Sequence, residues 1–576
     1  MMITSSRHHA PLLLVAFLCL PTSLRAQQAD IRIDPGWSLA GKARVVEAPR
    51  AMVVSGSPIA SEVGRDILRQ GGNAIDAAVA VGFALAVVHP EAGNIGGGGF
   101  IVIRTADGTT QALDYRETAP GRATRDMYVN RRGNPTELSI TGALSAGVPG
   151  AVAGMLEAHR RYGKLPLATV IGPAIALARD GFIVDSARSF SIDGDRERLY
   201  LFAASRSQFL PRGQAPPVGS RLRQADLART LISIRARGAA GFYQGRVADL
   251  IVAEMQRSGG LISHADLAAY RPIWRDPVTI RYRGHTIYSM PPASSGGVTM
   301  ATILNIMEGF GPLPAFGSTA LLHREAEAMR RAYMDRNVYL GDPAFVQAPL
   351  ARLVSKEHAE SLRKQIDPRR ASQTPKFEAT APTGTSTTHY SVVDAQGNAV
   401  SCTTTLNNSY GSAVTVTGAG FLLNDEMDDF ATAPGKPNMY GLVQGEANAI
   451  QPGKRMLSAM TPSIVLDPAG QLFMVVGTPG GPRIITMVYH VISNIIDHKM
   501  SLPNAVVAPR LHHQALPDTI RLERGGFAKA VLDSLRAMGH AVIEGAPWGD
   551  IAAIIRLPQG WQGVSDPRRG GGGAGY

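Results

Sequence analysis

Cysteine is nearly absent from this chain of 576 residues, which contains Cys19 and Cys402 and no others. Cys19 falls in a segment that we expect to be removed, so one thiol remains and no internal disulfide can form. An exported protein without disulfides depends on its buried core for stability. Cys402 has no histidine near it in sequence. We therefore interpret it as a small buried residue and not as a nucleophile.

Long apolar runs and clusters of like charge are also missing. The formal net charge is +12, but no run of five or six like charges occurs, which argues against nucleic-acid binding. A dispersed positive charge instead favours attraction of small anionic substrates. The stretch Ile75–Val88 contains Asp76 and falls short of the about 18 residues that span a bilayer. We expect a core helix there and no stable membrane anchor.

The first 26 residues have the pattern of a signal peptide. Arg7 gives a weakly basic start, Leu12–Leu20 is a nine-residue apolar run, Pro21 breaks it and Ala26 precedes the expected cut. This order is typical of secretory signals, and the run is too short for a membrane helix. The sequence therefore predicts a periplasmic or secreted protein.

Several well-known motifs fail in their details. The spacing Gly36 to Lys42 matches a phosphate loop, but Ala43 stands where a Ser or Thr must ligate magnesium. Gly96–Gly99 lacks the strand–turn–helix setting of a dinucleotide site. Neither a Gly-x-Ser-x-Gly elbow nor a His-Glu-x-x-His pair is present, and the adjacent His512 and His513 would point in different directions. We expect no metal and no cofactor.

The chain changes character at residues 386/387. The first part alternates helical and extended patterns, and residues 370–386 form a polar segment rich in Pro, Gly and Thr that is typical of a linker. Beyond it, strand-like runs with tight turns dominate. The helices predicted from apolar spacing are 61–70, 73–88, 150–162, 167–179, 225–237, 246–258, 319–340 and 483–497. The predicted strands are 101–103, 111–115, 387–393, 399–406, 464–466, 472–476, 540–543 and 551–557.

The first strands after the linker form a predicted hairpin around Ala395–Gly397. A three-residue loop would place Thr387 opposite Thr405, with their hydroxyls close enough to hydrogen-bond. Such a pair usually only stabilises a sheet. A threonine that becomes N-terminal by backbone cleavage, however, carries both a hydroxyl nucleophile and an α-amine base that titrates near neutral pH.

The segment from Thr387 to Asp394 closely resembles the start of the small subunit of γ-glutamyltranspeptidases, also called glutathione hydrolases. Further segments agree in the same order: Gly72–Ala78, Leu113–Pro120, Asn424–Phe430, Pro479–Arg483, Ser565–Arg568 and the terminal Gly575-Tyr576. The resemblance spans essentially the whole chain after the signal segment, and its motifs are long.

The resemblance implies an α+β fold, the four-layer αββα sandwich of the N-terminal nucleophile hydrolases. It also implies a proenzyme that cleaves its own Ser386–Thr387 bond. The products would be a large subunit of residues 27–386 and a small catalytic subunit of residues 387–576, which remain together as a heterodimer. The small-molecule partners would be a γ-glutamyl substrate, such as glutathione, and an amino-acid or peptide acceptor.

The resemblance also implies a role for each site residue. Thr387 is the nucleophile, Thr405 holds its hydroxyl, and Gly480 and Gly481 offer backbone N–H groups to an oxyanion. The substrate-binding residues are implied to be Arg116 and Ser458 for the α-carboxylate, Asn407, Glu426 and Asp429 for the α-ammonium, and Tyr440 as the gate in a lid loop. Arg116 suits the first task because its planar fork matches a carboxylate.

One position departs from the family pattern. Ala459 follows Ser458 where family members usually carry a second serine. The missing hydroxyl leaves substrate preference open and keeps a glutaryl or cephalosporin-type acylase as an alternative, although Glu426 and Asp429 argue against a substrate that lacks an ammonium group. A non-catalytic periplasmic solute-binding protein is an alternative from a different class. The sequence does not decide between water and an amino acid as acceptor.

Overall fold

A computed structural model describes residues 1–2, 31, 33–374 and 387–576. The predicted signal peptide, apart from its first two residues, lies outside the described residues. So do most of the predicted linker and Ser386 of the predicted processing bond.

The bounds of the elements are as follows. The strands are β1 Arg44–Ala48, β2 Met52–Ser55, β3 Gly98–Arg104, β4 Thr110–Asp114, β5 Phe182–Ile183, β6 Arg221–Leu222, β7 Ile273–Arg275, β8 Val278–Tyr282, β9 His285–Ser289, β10 Thr387–Val393, β11 Ala399–Thr405, β12 Ser463–Leu466, β13 Leu472–Gly477, β14 Leu511–His512, β15 Ile520–Glu523, β16 Val542–Gly545, β17 Ala552–Arg556, β18 Trp561–Ser565 and β19 Gly572–Gly575. The helices are α1 Pro58–Arg69, α2 Ala74–Val88, α3 Ala151–Tyr162, α4 Leu167–Asp180, α5 Ser186–Gly194, α6 Arg196–Tyr200, α7 Ala203–Phe209, α8 Ala225–Arg237, α9 Ala240–Tyr243, α10 Arg246–Ser258, α11 His264–Ala269, α12 Gly296–Glu308, α13 Thr319–Tyr339, α14 Leu350–Leu353, α15 Lys356–Arg363, α16 Arg483–Ile496, α17 Leu502–Val507 and α18 Lys529–Ala537.

Two seven-stranded antiparallel sheets form the centre of the molecule. The first, which we call the Thr387 sheet, has the strand order β19-β2-β10-β11-β3-β4-β7, and the second sheet has the order β1-β18-β17-β13-β12-β9-β8. Each sheet contains strands from both sides of residue 387. The predicted boundary at 386/387 is therefore not a boundary between two separately folded units.

Alternating side chains on β3 show how the layers are built. Phe100 and Val102 enter the apolar core shared by the two sheets, whereas Ile101 and Ile103 enter the core between the Thr387 sheet and its helices. Helices such as α2 cover the first sheet, and α12 and α16 pack on the second. The fold is an α+β sandwich of four layers, αββα, as the resemblance implied.

The predicted elements are present, with ends shifted by a few residues. Helix α2 shows why the start of a helix could be predicted from the sequence. Asn73 accepts from the N–H groups of Ile75 and Asp76, and the Asp76 side chain accepts from the Asn73 N–H, which completes a capping box. Every residue of α2 is buried, as expected for a core helix. Among the described residues, no helix is both long and apolar enough to cross a membrane.

Several elements were not predicted, notably β1, β2, α12, α18 and β19. β19 is built almost entirely of glycine and has no apolar alternation. It pairs with β2 across more than 500 residues of sequence. Such long-range pairing leaves no local signal.

Candidate active site

The predicted hairpin is confirmed, and its register is the predicted one. β10 pairs with β11 so that Thr387 faces Thr405, around a loop closed by the Asp394 N–H donating to the Asn398 carbonyl. The two threonine hydroxyl oxygens lie 3.2 Å apart. The N–H of Asn407 donates to the Thr405 hydroxyl at 2.8 Å, which orients that hydroxyl toward Thr387.

The Thr387 side chain faces a small cavity where the ends of strands from both sheets meet. Arg116 follows β4, Asn407 follows β11, and the Gly480-Gly481 turn joins β13 to α16. The cavity is lined by Arg116, Arg336, Thr387, Thr405, Asn407, Glu426, Asp429, Tyr440, Leu442, Leu457, Ser458, Ala459, Met460, Gly481, Pro482 and Ile484.

Arg116 is fully buried at one end of this cavity. Its guanidinium forms ion pairs with Glu426 and Asp429, and its NH1 lies 3.6 Å from Glu117. Its Nε donates to the Met456 carbonyl at 3.2 Å. The arginine thus already lies against the two carboxylates that the resemblance assigned to the substrate ammonium.

Burial and charge act in opposition on these groups. Burial alone would lower the pKa of Arg116, but the charges of Glu426 and Asp429 outweigh it and hold that pKa above its usual range. Burial raises the pKa of Glu426 and of Asp429, although the Arg116 charge opposes the rise. Burial also raises the pKa of Glu117 to about 8. Carboxylates outnumber the guanidinium here, so they share protons as a group.

Two further predicted binding residues, Asn407 and Ser458, have side-chain polar atoms that can hydrogen-bond to a substrate. Asn407 uses its amide nitrogen on the Asp425 carbonyl at 3.0 Å, which leaves its amide oxygen as an acceptor. The Ser458 hydroxyl oxygen accepts from the Met460 N–H at 3.1 Å, so its own proton is available to donate. Ala459 lines the same wall with a methyl group.

The Gly480-Gly481 turn has a backbone that favours glycine. Its φ angles are +145° and +56°, and a Cβ on Gly480 would lie 2.5 Å from the Met487 methyl carbon. Neither amide N–H donates to an acceptor among the described residues. The turn therefore presents two backbone donors of the kind that an oxyanion hole requires.

Tyr440 forms part of the cavity wall. Its hydroxyl donates to the Asn407 carbonyl at 3.0 Å, and its ring lies close to Gly481. The space left is about 20 Å³, which holds about one water molecule. The role of Tyr440 as a gate stays a prediction.

The cavity brings together ten of the predicted site residues, and Gly480 is adjacent to it in the turn. It also contains a residue that sequence reasoning missed, Arg336. This arginine is buried on α13, its Nε donates to Ser295 at 2.9 Å, and burial lowers its pKa to about 10. No motif surrounds it, so only the packing of α13 shows its position.

The residues that we set aside as non-catalytic have other partners. Cys402 is buried beside the Tyr115 hydroxyl at 3.2 Å, and burial raises the pKa of its thiol to about 12. His512 pairs with Gln514 and His513 with Asp518, so the two rings face different neighbours.

Among the residues that the structure describes, one group of side chains has a geometry that could hold a metal ion, namely His323, Glu327 and His540. Glu327 is already paired with Arg330 and Arg331. The two positive charges disfavour a cation at this place.

Comparison with known proteins agrees with this geometry. A sequence profile of the family described as Gamma-glutamyltranspeptidase matches residues 60–576. The Glutathione hydrolase proenzyme of Escherichia coli (strain K12) is 47% identical over 530 residues, which cover 91% of each chain. The Glutathione hydrolase proenzyme of Pseudomonas sp. (strain A14) is 48% identical over 544 residues, covering 91% of this chain and 94% of that one.

Among solved structures, the cephalosporin acylase from Bacillus halodurans superposes with a TM-score of 0.83. It is 30% identical, and the superposition covers 92% of this chain and 97% of that one. Fold, site geometry and sequence identity agree, and this chain belongs to the gamma-glutamyltranspeptidase family.

Proposed function

We propose that this enzyme transfers the γ-glutamyl group of glutathione and related amides to water or to an amino acid or peptide, through an ester on Thr387. The observation that carries the proposal is the position of the Thr387 hydroxyl. It is paired with the Thr405 hydroxyl in a cavity that Arg116 and Gly481 also line.

The first step in the proposal is self-processing. The Thr387 hydroxyl attacks the Ser386 carbonyl carbon, the peptide C–N bond breaks, and its nitrogen leaves as the Thr387 α-amine. Water then hydrolyses the resulting ester, which releases the Ser386 carboxylate and restores the hydroxyl. The products are a large subunit of residues 27–386 and a small subunit of residues 387–576. They stay associated because both sheets contain strands from each.

In the catalytic cycle the free α-amine of Thr387 takes the hydroxyl proton, and the oxygen attacks the γ-carbonyl carbon. Negative charge develops on the carbonyl oxygen, where the Gly480 and Gly481 N–H groups can donate to it. The C–N bond breaks, the departing amine takes the proton, and a γ-glutamyl ester remains on Thr387. Water or an acceptor amine then attacks the ester and restores the hydroxyl.

The buried charges suit a zwitterion. A γ-glutamyl group carries an α-carboxylate and an α-ammonium, which can bind Arg116 and the pair Glu426 and Asp429 respectively. The zwitterion therefore inserts between charges that already face each other and adds no net charge to a buried site. This electrical neutrality is the strongest reason to prefer a γ-glutamyl substrate.

A glutaryl acylase is the second candidate, supported by Ala459 in the cavity wall and by the likeness to the Bacillus halodurans acylase. A glutaryl group would bring one uncompensated negative charge beside Glu426 and Asp429. Burial of an unpaired charge is costly, so we place this candidate second. A non-catalytic solute-binding protein is excluded by membership in an enzyme family.

Export is a further part of the proposal. It rests on the pattern of residues 1–26, which predicts a cleaved signal and a periplasmic or secreted enzyme.

Product analysis tests the proposal most directly. The purified enzyme is incubated with glutathione, with and without glycylglycine, and the products are identified by mass spectrometry. We expect glutamate with water alone and γ-glutamyl-glycylglycine when the dipeptide is present. A glutaryl amide serves as the matched substrate without the ammonium group. Faster turnover of the glutaryl amide than of the γ-glutamyl amide would contradict the proposal.

A further inference from the structure

A second cavity, of about 410 Å³, lies on the other side of the Gly480–Arg483 turn from the active site. Gly481 and Pro482 line the active-site cavity, and Arg483, the next residue, lines the second one. We call it the arginine cavity because four arginines line it. Its lining residues are Arg483, Arg521, Ile543, Glu544, Gly545, Ala546, Pro547, Trp548, Gly549, Arg568 and Arg569.

Counter-charges are unevenly distributed in the arginine cavity. Arg568 is neutralised by Glu523 at 2.7 Å and by Asp566 at 3.1 Å. Arg569 lies 3.8 Å from Glu91. Arg521 has no ion-pair partner among the described residues. Its half-buried guanidinium therefore adds a positive charge to the cavity that no described carboxylate balances.

Arg483 is a further cation of the lining. It is the first residue of α16, and a cation is disfavoured at the N-terminal end of a helix, where the helix dipole is positive. Burial, reinforced by the charges of Arg521 and Arg569, lowers the pKa of Arg483 to about 10. Its guanidinium lies 5.6 Å from the centre of the Trp548 ring.

The lining contains one carboxylate, Glu544, against four guanidinium groups. One oxygen of Glu544 accepts from the Gly525 N–H at 3.2 Å. The cavity thus combines a concave shape, a volume in the range of small-molecule sites and an excess of guanidinium groups. Guanidinium forks match the oxygens of carboxylates and phosphates.

We propose that the arginine cavity binds a small oxyanion carrying two or more negative charges, with Arg521 as its principal ligand and Arg483 and Arg569 as the flanking charges. This site is separate from the γ-glutamyl chemistry at Thr387. Because only Pro482 separates Arg483 from the Gly480-Gly481 turn, an anion bound there would also lie near the proposed oxyanion hole.

Isothermal titration calorimetry of the processed enzyme tests the site, with inorganic phosphate and citrate as separate probes. The titrations contain no γ-glutamyl substrate, so their outcome does not depend on the catalytic assignment. We expect saturable binding of at least one probe. Preference for phosphate would indicate a phosphorylated or phosphate ligand, and preference for citrate would indicate a polycarboxylate.

Substitutions at Arg521 locate the binding. Arg521→Gln should weaken it by about tenfold or more, since a charge-assisted bidentate contact is lost. Arg521→Lys keeps the charge and is the milder change to the β15 strand. Its affinity for the probe should lie between that of Arg521→Gln and that of the unaltered enzyme. Arg132→Gln removes an exposed positive charge elsewhere and should leave binding unchanged. Equal binding in Arg521→Gln and the unaltered enzyme, or no binding of either probe at about 10 mM, would overturn the proposal.

Discussion

Two arginines, one in each of the cavities that border the segment Gly481–Arg483, have different electrostatic surroundings. Arg116, in the active-site cavity, lies against Glu426 and Asp429, whose charges outweigh burial and raise its pKa. Arg483, in the arginine cavity, lies near other arginines, and its pKa falls to about 10.

The difference shows how the charges that line a cavity determine which kind of charged ligand it suits. Around Arg116 the protein supplies carboxylates in direct ion pairs, and the cavity has a volume of about 20 Å³. The arginine cavity, of about 410 Å³, is lined by four arginines and one carboxylate. The first arrangement suits a zwitterion, and the second suits an anion.

The largest expected effect is the complete loss of catalysis in the active-site cavity. Thr387→Ala should leave a single unprocessed chain and reduce γ-glutamyl turnover to background, because both the nucleophile and the source of the free amine are lost. Denaturing gel electrophoresis and an anilide assay measure the two outcomes. Thr388→Val is the matched control, since the Thr388 hydroxyl has no hydrogen-bond partner in the described structure. Normal processing of the alanine variant would refute the assignment of Thr387.

Arg116→Lys should have the second largest effect. Lysine keeps the charge, but it lacks the planar guanidinium that can contact Glu426, Asp429 and a substrate carboxylate at the same time. Loss of one or more charged hydrogen bonds predicts a rise in KM of about ten- to a hundredfold for γ-glutamyl substrates, while processing continues. Steady-state kinetics of Arg116→Lys beside Arg122→Lys, a change at a mostly exposed arginine, measure the effect. An unchanged KM would show that another group binds the carboxylate.

Ala459→Ser sharpens the comparison by adding a donor beside Arg116. If the new hydroxyl reaches the substrate carboxylate, kcat/KM for a γ-glutamyl anilide should rise by up to about tenfold relative to a glutaryl anilide, mainly through KM. Ser458→Ala is the converse variant and should lower the same ratio. A parallel change for both anilides in Ala459→Ser would show that position 459 does not face the carboxylate.

The smallest expected effect concerns the surplus carboxylate near Arg116. Glu117 has a pKa of about 8 in the folded protein and an ordinary value near 4.3 when unfolded. The folded state therefore holds more protons between these values, and stability falls as pH rises from about 4.3 to 8. Glu117→Gln lacks this titration, so its Tm should decline less over that range and be higher by about 2 °C at pH 8. Thermal melts from pH 5 to 8 measure it, and parallel pH curves for the two proteins would contradict the shift.

Short-range patterns in the sequence were sufficient for a large part of this structure. The capping of α2 by Asn73 and the register of Thr387 with Thr405 depend on residues within one helix or one hairpin. The same holds for the turn at Gly480-Gly481, whose positive φ angles suit glycine. Family motifs added the expectation that these separate segments meet in one site.

Tertiary structure alone decided the rest. The glycine strand β19 and the burial of Arg336 in the active-site cavity result from contacts between segments far apart in the chain, which leave no periodic signal. The electrostatic balance is of the same kind. The sequence shows that Arg116 and Arg483 are arginines, but the pKa of each guanidinium group depends on its neighbours in space. Only the folded chain pairs Arg116 with Glu426 and Asp429 and brings Arg521 and Arg569 near Arg483.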